Sequence, residues 1–151
     1  MELEHKDWYV TDDEAYILEH MGEKGFTLKA VRGEQILGFL IVHMPKLETG
    51  HLGDCIGLGD LEKCRSAYMD SVCVCPKARG MGLMRRLLLA AQEELAKTGI
   101  RHLLATVHPQ NQYSLQSFLA LGYRAAARTE KYGGLPRLVM YKKISPPGTE
   151  G

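Results

Sequence analysis

The hydrophobic pattern of the chain changes its period near residue 76. Val72 and Val74 are apolar residues at alternate positions, preceded by Tyr68 and Asp70 at the same parity, which is typical of a strand, and Pro76 ends it because proline has no N–H for a sheet ladder. Beyond the glycine turn 79–82, apolar residues recur every four positions over 83–95, with a stop at Thr98-Gly99. The pattern therefore predicts a strand, a glycine turn and an amphipathic helix in direct succession.

The same reading divides the rest of the chain into short elements. A capping-box spacing at Thr11 to Glu14 predicts a helix over 12–21. The segment 46–65 reads as a long connection with a short helix near 60–65. Other predicted elements are a strand-like piece over 8–10, a hairpin of strands 26–31 and 35–43, a strand over 100–107, a helix over 111–121, and strands over 123–130 and 138–144.

This order of elements predicts the fold class. Strand–helix–strand–helix order from residue 66 implies parallel pairing, and the hairpins at both ends add antiparallel strands. We expect an α/β (α+β) domain, in which helices flank a mixed, mostly antiparallel sheet with a central parallel strand pair. Residues 1–144 form the single predicted domain, and 145–151 a disordered tail.

Composition narrows the function class. The chain has 151 residues, 45% of them hydrophobic, which suits one globular domain with a sizeable core. With 19 basic and 18 acidic side chains the net charge is +1, so no charge excess favours nucleic acid or an anionic membrane. No apolar run reaches the length of a membrane span and no signal peptide is recognised, which predicts a cytoplasmic protein.

The four cysteines do not predict a metal site. Cys55, Cys64, Cys73 and Cys75 include no Cys-x-x-Cys pair, and the chain has no His-x-x-x-His pair. We expect buried, reduced thiols and no bound metal.

The glycine turn has two interpretations. The first turn of a helix leaves backbone N–H groups unpaired, and glycines let a phosphate approach them without meeting a Cβ atom. An ordinary strand-to-helix turn would carry the same glycines. The sequence fits neither a Walker A loop nor the full dinucleotide fingerprint.

Two motifs in the right order resemble the GNAT superfamily of N-acetyltransferases, over roughly residues 35–143. Val-x-Val-x-Pro followed by Arg-Gly-x-Gly-Leu resembles its acetyl-CoA pyrophosphate loop: Arg79 and Gly82 match, whereas Met84 stands where a second small residue is expected. The second motif is Asn-x-x-Ala-x-x-x-Tyr-x-x-x-Gly-Phe. Its positions fall here on Asn111, Ser114, Phe118, Gly122 and Tyr123.

The resemblance implies acetyl-CoA as co-substrate. In the family the loop holds the pyrophosphate, the preceding strand polarises the thioester carbonyl through backbone N–H groups, and the asparagine helix contacts the pantetheine arm or the phosphates. Asn111 is equally interpreted as a helix N-cap. The predicted cofactor-binding residues are Val72, Cys73, Val74, Arg79, Gly80, Met81, Gly82, Leu83, Met84, Arg85, Asn111, Tyr113 and Ser114.

The implied reaction is the attack of an amine on the thioester. An alkyl amine with a pKa near 10.4 is free base in about one molecule in 2,500 at pH 7, a deficit of about 4.6 kcal/mol, so a base is useful. Asp70 is the first candidate, on the face of Val72 and Val74 unless a bulge intervenes, and a strand-edge carboxylate is the alternative. His108 is the second, with a surface histidine as its alternative.

Two departures from the family pattern limit these expectations. Phe118 stands where many members carry a tyrosine that protonates the departing thiolate, and we interpret it as a core residue. Only about 25 residues precede Phe26. In the family, a strand and one or two helices before the hairpin form one wall of the acceptor pocket, so the resemblance implies a shortened wall here, and an unpaired sheet edge predicts a homodimer. The expected acceptor is a small amine or an amino group on an unknown carrier, and the alternative function is an inactive acyl-CoA-binding module.

Overall fold

The computed structural model describes residues 8–11, 14–80, 82–131 and 134–148. Its three α-helices are α1 (Asp60–Cys64), α2 (Leu83–Ala96) and α3 (Gln112–Ala120), and 3-10 turns span Leu52–Ile56 and Pro76–Ala78. Its strands are β1 (Trp8–Thr11), β2 (Glu14–Gly22), β3 (Gly25–Arg32), β4 (Gln35–His43), β5 (Ser66–Val74), β6 (His102–Val107), β7 (Arg124–Lys131) and β8 (Leu135–Lys143).

The described strands form one mixed sheet in the order β1-β2-β3-β4-β5-β6-β8-β7. Strands β5 and β6 are parallel, and every other neighbouring pair is antiparallel. The crossover through α2 produces the parallel pair, since a strand that returns in the same direction needs a long connection. The predicted fold class is confirmed.

Strands β5 and β6 separate after three paired positions. Residues 66–68 pair with 102–104, and beyond them β5 continues beside β4 while β6 continues beside β8. The sheet therefore opens in its centre, at the end of β5 that leads into the glycine turn.

The sheet has a hydrophobic layer on each face. On one face, Leu28, Leu40 and Leu103 pack with α2 and α3 in the main core. On the other face, Leu52 packs on Leu104 and Val139. The segment 51–64, with its 3-10 turn and α1, thus covers part of this second face.

The helix predicted over 12–21 is wrong. Residues 12 and 13 lie outside the described part of the chain, and Glu14–Gly22 is strand β2. Tyr16 and Leu18 lie opposite Ala30 and Leu28 and are 5% and 1% exposed. Pairing with β3 buries alternate side chains here, so tertiary context overrides the local capping signal.

Other expectations have mixed outcomes. The strand-like piece over 8–10 and the short helix near 60–65 are confirmed as β1 and α1. The cysteines are free, but they are not buried: Cys55, Cys64 and Cys73 are exposed and Cys75 is half-buried. Cys55 and Cys64 lie on the covering segment 51–64, and Cys73 lies on the strand face away from the main core.

Candidate active site

The glycine turn joins β5 to α2 through left-handed backbone. Gly80 and Gly82 have φ angles of +84° and +71°, a conformation that costs other residues about 1–2 kcal/mol. A Cβ atom on either would meet no protein atom within 4 Å. The turn therefore requires glycine for its backbone and leaves open space in front of that backbone.

The beginning of α2 presents unpaired backbone donors. The Arg86 N–H donates to the Gly82 carbonyl at 3.1 Å, so the preceding N–H groups of 83–85 have no acceptor within the helix. No side chain caps them. Together with the helix dipole, these donors favour an anion at this end of α2.

A cavity of about 660 Å³ connects this turn with the gap between β5 and β6. Nine residues line it, and all nine are predicted cofactor-binding residues: Val72, Cys73, Val74, Arg79, Gly80, Met84, Asn111, Tyr113 and Ser114. The structure thus brings the two sequence motifs together around one space. Gly82 and Arg85 line an adjoining hollow of about 530 Å³, which Gly80 and Tyr113 share.

The other predicted cofactor residues and basic side chains lie differently. The Leu83 side chain is fully buried in the main core, so only its backbone faces the turn. Met81 lies outside the described residues. The Arg86 guanidinium lies over the Tyr16 ring, 5.8 Å from its centroid. Of the basic residues near the turn, Arg79 and Arg85 therefore face these hollows.

The separated part of β5 directs backbone donors into the gap. The Cys75 N–H donates to the Leu37 carbonyl of β4 at 2.7 Å. Successive N–H groups along a strand point to opposite edges, so the N–H groups of Val74 and Val72 point toward β6. Because β6 has diverged, these donors face the cavity that both residues line.

Asp70 lies in a β-bulge. Ile41 pairs with Ser71 and the next residue, Val42, pairs with Met69, so Asp70 is the extra residue of β5. The bulge reverses the alternation: Met69 and Val74 both belong to the main core, whereas Asp70 is exposed. The expected shared face of Asp70, Val72 and Val74 is therefore wrong, through the exception that the sequence analysis allowed.

The Asp70 carboxylate has no partner among the described residues, either as a hydrogen-bond acceptor or in an ion pair. Asp70 lies two residues beyond the last pair of β5 with β6, where the gap begins. An exposed carboxylate at this position can accept a proton from a nucleophile.

His108 follows the end of β6 and is exposed. Its Nδ1 accepts the Gln110 N–H at 3.0 Å, so in the neutral ring Nε2 carries the proton. The nitrogen with the free lone pair is therefore used in the turn before α3. This geometry favours Asp70 over His108 as the base.

Asn111 caps α3 with its side chain. Its Oδ1 accepts the Ser114 N–H at 3.1 Å, which confirms the N-cap interpretation. Both residues also line the cavity. The cap oxygen is thus occupied, and the amide NH₂ of Asn111 is the group that can face a ligand.

Phe118 is a core residue, as expected. It is 3% exposed, and its ring packs edge-on against Tyr123 with centroids 4.8 Å apart. Burial raises the pKa of the Tyr123 hydroxyl, which has no hydrogen-bond partner among the described residues. Tyr123 is therefore a poor proton donor, and Tyr113 is the tyrosine that lines the cavity.

Sequence reasoning missed a polar cluster that holds the covering segment on the sheet. The buried His51 contacts the Ser66 Oγ through Nε2 at 3.0 Å and accepts the Gly53 N–H at Nδ1 at 2.8 Å. The Leu52 N–H donates to the Tyr68 hydroxyl at 2.8 Å. A histidine in a polar loop was the available signal, but its side-chain partner Ser66 lies 15 residues away.

Comparison with known proteins identifies the family. The family model of the GNAT acetyltransferases matches residues 1–123. The chain belongs to the GNAT acetyltransferase family. The resemblance inferred from the two motifs is thereby confirmed. The expectation that the protein is an acetyltransferase of this family is confirmed as well. A search of curated protein sequences finds no match.

Solved structures of GNAT proteins share the fold. The ribosomal-protein-S18-alanine N-acetyltransferase of Escherichia coli is 22% identical, with a TM-score of 0.63 over 85% of this chain and 74% of that one. The Salmonella typhimurium protein yncA, solved with its cofactor acetyl-CoA, is 21% identical, with a TM-score of 0.60 over 83% and 68%. A Bacillus subtilis acetyltransferase in complex with CoA is 15% identical, with a TM-score of 0.62 over 81% and 78%.

The described residues show neither a metal-binding cluster nor a membrane-spanning helix. No group of three or more His, Cys, Asp or Glu side chains is arranged to hold a metal ion. No helix there has the length and apolar character that a membrane crossing requires.

Proposed function

We propose that this GNAT protein transfers an acetyl group from acetyl-CoA to a primary amine by direct attack on the thioester. One observation carries the proposal: the cavity is lined by the glycine turn, by the separated part of β5 and by the start of α3. A ligand with an anionic end, a long polar arm and a carbonyl group fits these surfaces in that order. Acetyl-CoA has these features.

The backbone supplies most of the proposed contacts. The N–H groups of residues 83–85 and the open space at Gly80 and Gly82 suit the pyrophosphate, and Arg79 adds a positive charge. Asn111, Tyr113 and Ser114 suit the pantetheine arm. The N–H groups of Val72 and Val74 face the gap, where they would stabilise the negative charge that develops on the carbonyl oxygen.

Asp70 is the proposed base. Its carboxylate takes the proton of the acceptor ammonium, directly or through water, so that the amine lone pair can form the new C–N bond. The C–S bond then breaks, CoA leaves as a thiolate, and the new amide nitrogen gives up its remaining excess proton to water. A thiol pKa near 8.5 makes this a fair leaving group, so water can return the proton without a tyrosine at position 118.

The alternative function is an acyl-CoA-binding module without turnover. Two features favour it: Phe118 lacks a hydroxyl, and Met84 occupies a position where the family has a small residue. The Met84 side chain is 2% exposed and packs in the main core, so its bulk does not occupy the turn. In the folded chain, Met84 is therefore weaker support for the binding module than its position in the sequence suggests.

A thermal-shift titration combined with a thiol-release assay tests the proposal. At 100 times its Kd, acetyl-CoA should stabilise the protein by about 2.7 kcal/mol, which corresponds to a rise in Tm of roughly 5–11 °C for a chain of this size. Adding a panel of primary amines should release free CoA. Stabilisation without thiol release for any amine, peptide amines included, would establish the binding module instead.

The cytoplasmic location and the homodimer remain predictions. At the N-terminal end of the sheet β1 pairs with β2, so the edge of the described sheet lies at β1.

A further inference from the structure

The second face of the sheet is covered unevenly. The segment 51–64 packs over β6, β8 and the start of β5. On β4, the side chains that point away from the main core are not covered by this segment and remain partly exposed to solvent. Ile36 is 50% exposed and Ile41 is 37% exposed, whereas Leu40, between Phe39 and Ile41, is fully buried on the core side.

An apolar stripe runs along this uncovered half. It continues onto β3, where Val31 pairs with Ile36. Lys29 pairs with Phe39 on one side and with Ile17 of β2 on the other, so its side chain, which forms an ion pair with Glu19 at 2.9 Å, interrupts the stripe between β4 and β2. We call the exposed and half-buried side chains of Ile17, Val31, Ile36, Phe39 and Ile41 the open stripe.

The open stripe leads directly to the proposed reaction centre. Phe39 pairs with Cys73, and Ile41 pairs with Ser71, next to the bulged Asp70. The helices α2 and α3 occupy the other face, and the cavity enters the gap beside their N-terminal ends. With acetyl-CoA bound in this cavity as proposed, the face that carries the open stripe is the side left for the amine.

We propose that the acceptor is a polypeptide, which lays a short extended segment with apolar side chains on the open stripe and presents its amine at Asp70. The inference rests on the proposed function and specifies its substrate class. The unengaged Asp70 carboxylate complements the positive charge of the ammonium. The apolar side chains next to that carboxylate can contact apolar side chains in the segment of the acceptor polypeptide that follows the amine.

The shape of this surface distinguishes a polypeptide from other occupants. Sites for small molecules are concave and bury about 70–90% of the ligand, whereas the open stripe is one exposed sheet surface. A stable interface between two copies of the chain needs about 20–30 residues a side. The open stripe has five apolar side chains and is interrupted by the ion pair of Lys29 and Glu19, so it is too small for such an interface, but a peptide of a few residues fits.

A ladder of acceptors tests the inference. All carry the same primary amine, followed by one, two, four or six residues, in an apolar and a glutamate-rich series. In one set the amine is the amino terminus of the peptide, and in the other it is a lysine side chain. Comparing the two sets shows which kind of amine the protein acetylates. In at least one apolar set, kcat/KM should rise tenfold or more from one to six residues through a lower KM, whereas the glutamate-rich series stays flat.

Two variants place the effect on the open stripe. Ile41→Glu and Ile36→Glu should each abolish the rise with length, while kcat/KM for the one-residue amine and the Kd for CoA stay within a factor of two. Leu61→Glu is the matched control on α1, where the side chain is 67% exposed, and it should keep the full rise. Unchanged CoA binding shows that each variant is folded.

Several outcomes would overturn the inference. A flat apolar ladder with good turnover of the one-residue amine would leave the proposed acetyl transfer standing but exclude a polypeptide acceptor on this face. No thiol release from any amine, with CoA still bound, would remove the proposed function and the inference together. A dimer by light scattering that Ile41→Glu converts to a monomer would assign the open stripe to a second copy.

Discussion

The single residue that best tests the chemistry is Asp70. Asp70→Asn keeps the size of the side chain but cannot accept a proton at neutral pH. Because the carboxylate has no partner among the described residues, the variant should fold with unchanged stability and CoA affinity. General-base assistance is typically worth about 10²–10⁴-fold, so we expect kcat to fall at least tenfold with saturating amine.

The pH dependence of kcat distinguishes the loss of a general base from a distortion of the site. With free amine supplied at pH 9 to 10, the deficit of Asp70→Asn should shrink, since a larger fraction of the acceptor is already deprotonated. Asp60→Asn, on the exposed surface of α1, serves as the matched control and should retain full activity. Turnover of Asp70→Asn within a factor of two of the unmodified protein would exclude Asp70 as the base.

At the scale of one element, the turn between β5 and α2 requires glycine for two separate reasons. Gly82 has left-handed backbone, and its open side faces the proposed phosphate position. Gly57 provides a comparison, because its φ is +78° and a Cβ atom there would also meet nothing within 4 Å. Gly57 ends the 3-10 turn of the covering segment and lines neither hollow described above.

Gly82→Trp and Gly57→Trp should therefore differ only in ligand binding. Both variants lose stability by about 1–2 kcal/mol through the left-handed conformation. Only Gly82→Trp should abolish CoA binding, because its indole fills the space in front of the backbone donors. Isothermal titration with CoA, with urea denaturation for stability, measures both effects. Unchanged CoA binding by Gly82→Trp would disprove the location of the phosphate site.

The covering segment 51–64 should be sensitive to acid. Burial lowers the pKa of His51 from its ordinary value near 6.5; a hydrogen bond to the Lys63 backbone opposes this shift, the Lys63 charge adds to it, and Asp54 and Glu48 oppose it. As the pH falls below about 6.5, the unfolded chain binds a proton that the folded chain resists. Stability is thus lost from about pH 6.5 downward, by at most about 1.4 kcal/mol per pH unit for one histidine.

His51→Asn should remove this part of the pH dependence. An asparagine oxygen can still accept the Gly53 N–H, but it does not titrate. Urea denaturation at pH 7, 6 and 5 should show a shallower loss for His51→Asn than for the unmodified protein. His108→Asn is the matched control, because His108 makes the same type of bond to residue 110 at an exposed position. Parallel profiles for His51→Asn and the unmodified protein would contradict the assignment.

Elements with their own local signals were predicted from the sequence, and those that depend on distant partners were not. Helix α2 has a regular apolar face with a glycine before it, so its position follows from local rules. Strand β2 carries a helix-like start signal, and its identity depends on pairing with β3. The same reason explains the site: glycines and caps were visible, whereas the bulge at Asp70 arises from the register of β5 against β4.

At the scale of the whole molecule, the two ends of the sheet are protected differently. Strand β1 has four residues, and short edge strands resist pairing with other chains. Strand β7 carries Arg124, Arg128 and Glu130 and has a register shift near Ala126. Charges and bulges are common protection for an edge. The two edges therefore offer little support for the predicted homodimer, which light scattering at tens of micromolar would test.

The position of the gap between the two faces also bears on the kinetic mechanism. The proposed cofactor contacts lie toward α2 and α3, the open stripe lies on the other face, and the two meet at β5. In this proposed arrangement both substrates can be bound at once. Cys73 offers a competing route, because its exposed thiol also lines the cavity and could accept the acetyl group first.

Direct transfer predicts that both substrates must be present together. Initial rates at varied acetyl-CoA and amine concentrations should give intersecting double-reciprocal lines, and Cys73→Ser should keep kcat/KM within a factor of two. An acetyl-enzyme route would instead give parallel lines, a burst of CoA before any amine is added, and a mass increase located on Cys73. Cys64→Ser, another exposed thiol but distant in sequence from the turn, controls for general effects of the substitution. Because the backbone donors of Val72 and Val74 face the gap from the strand that carries Cys73, we expect them to act on the carbonyl while the amine attacks it directly.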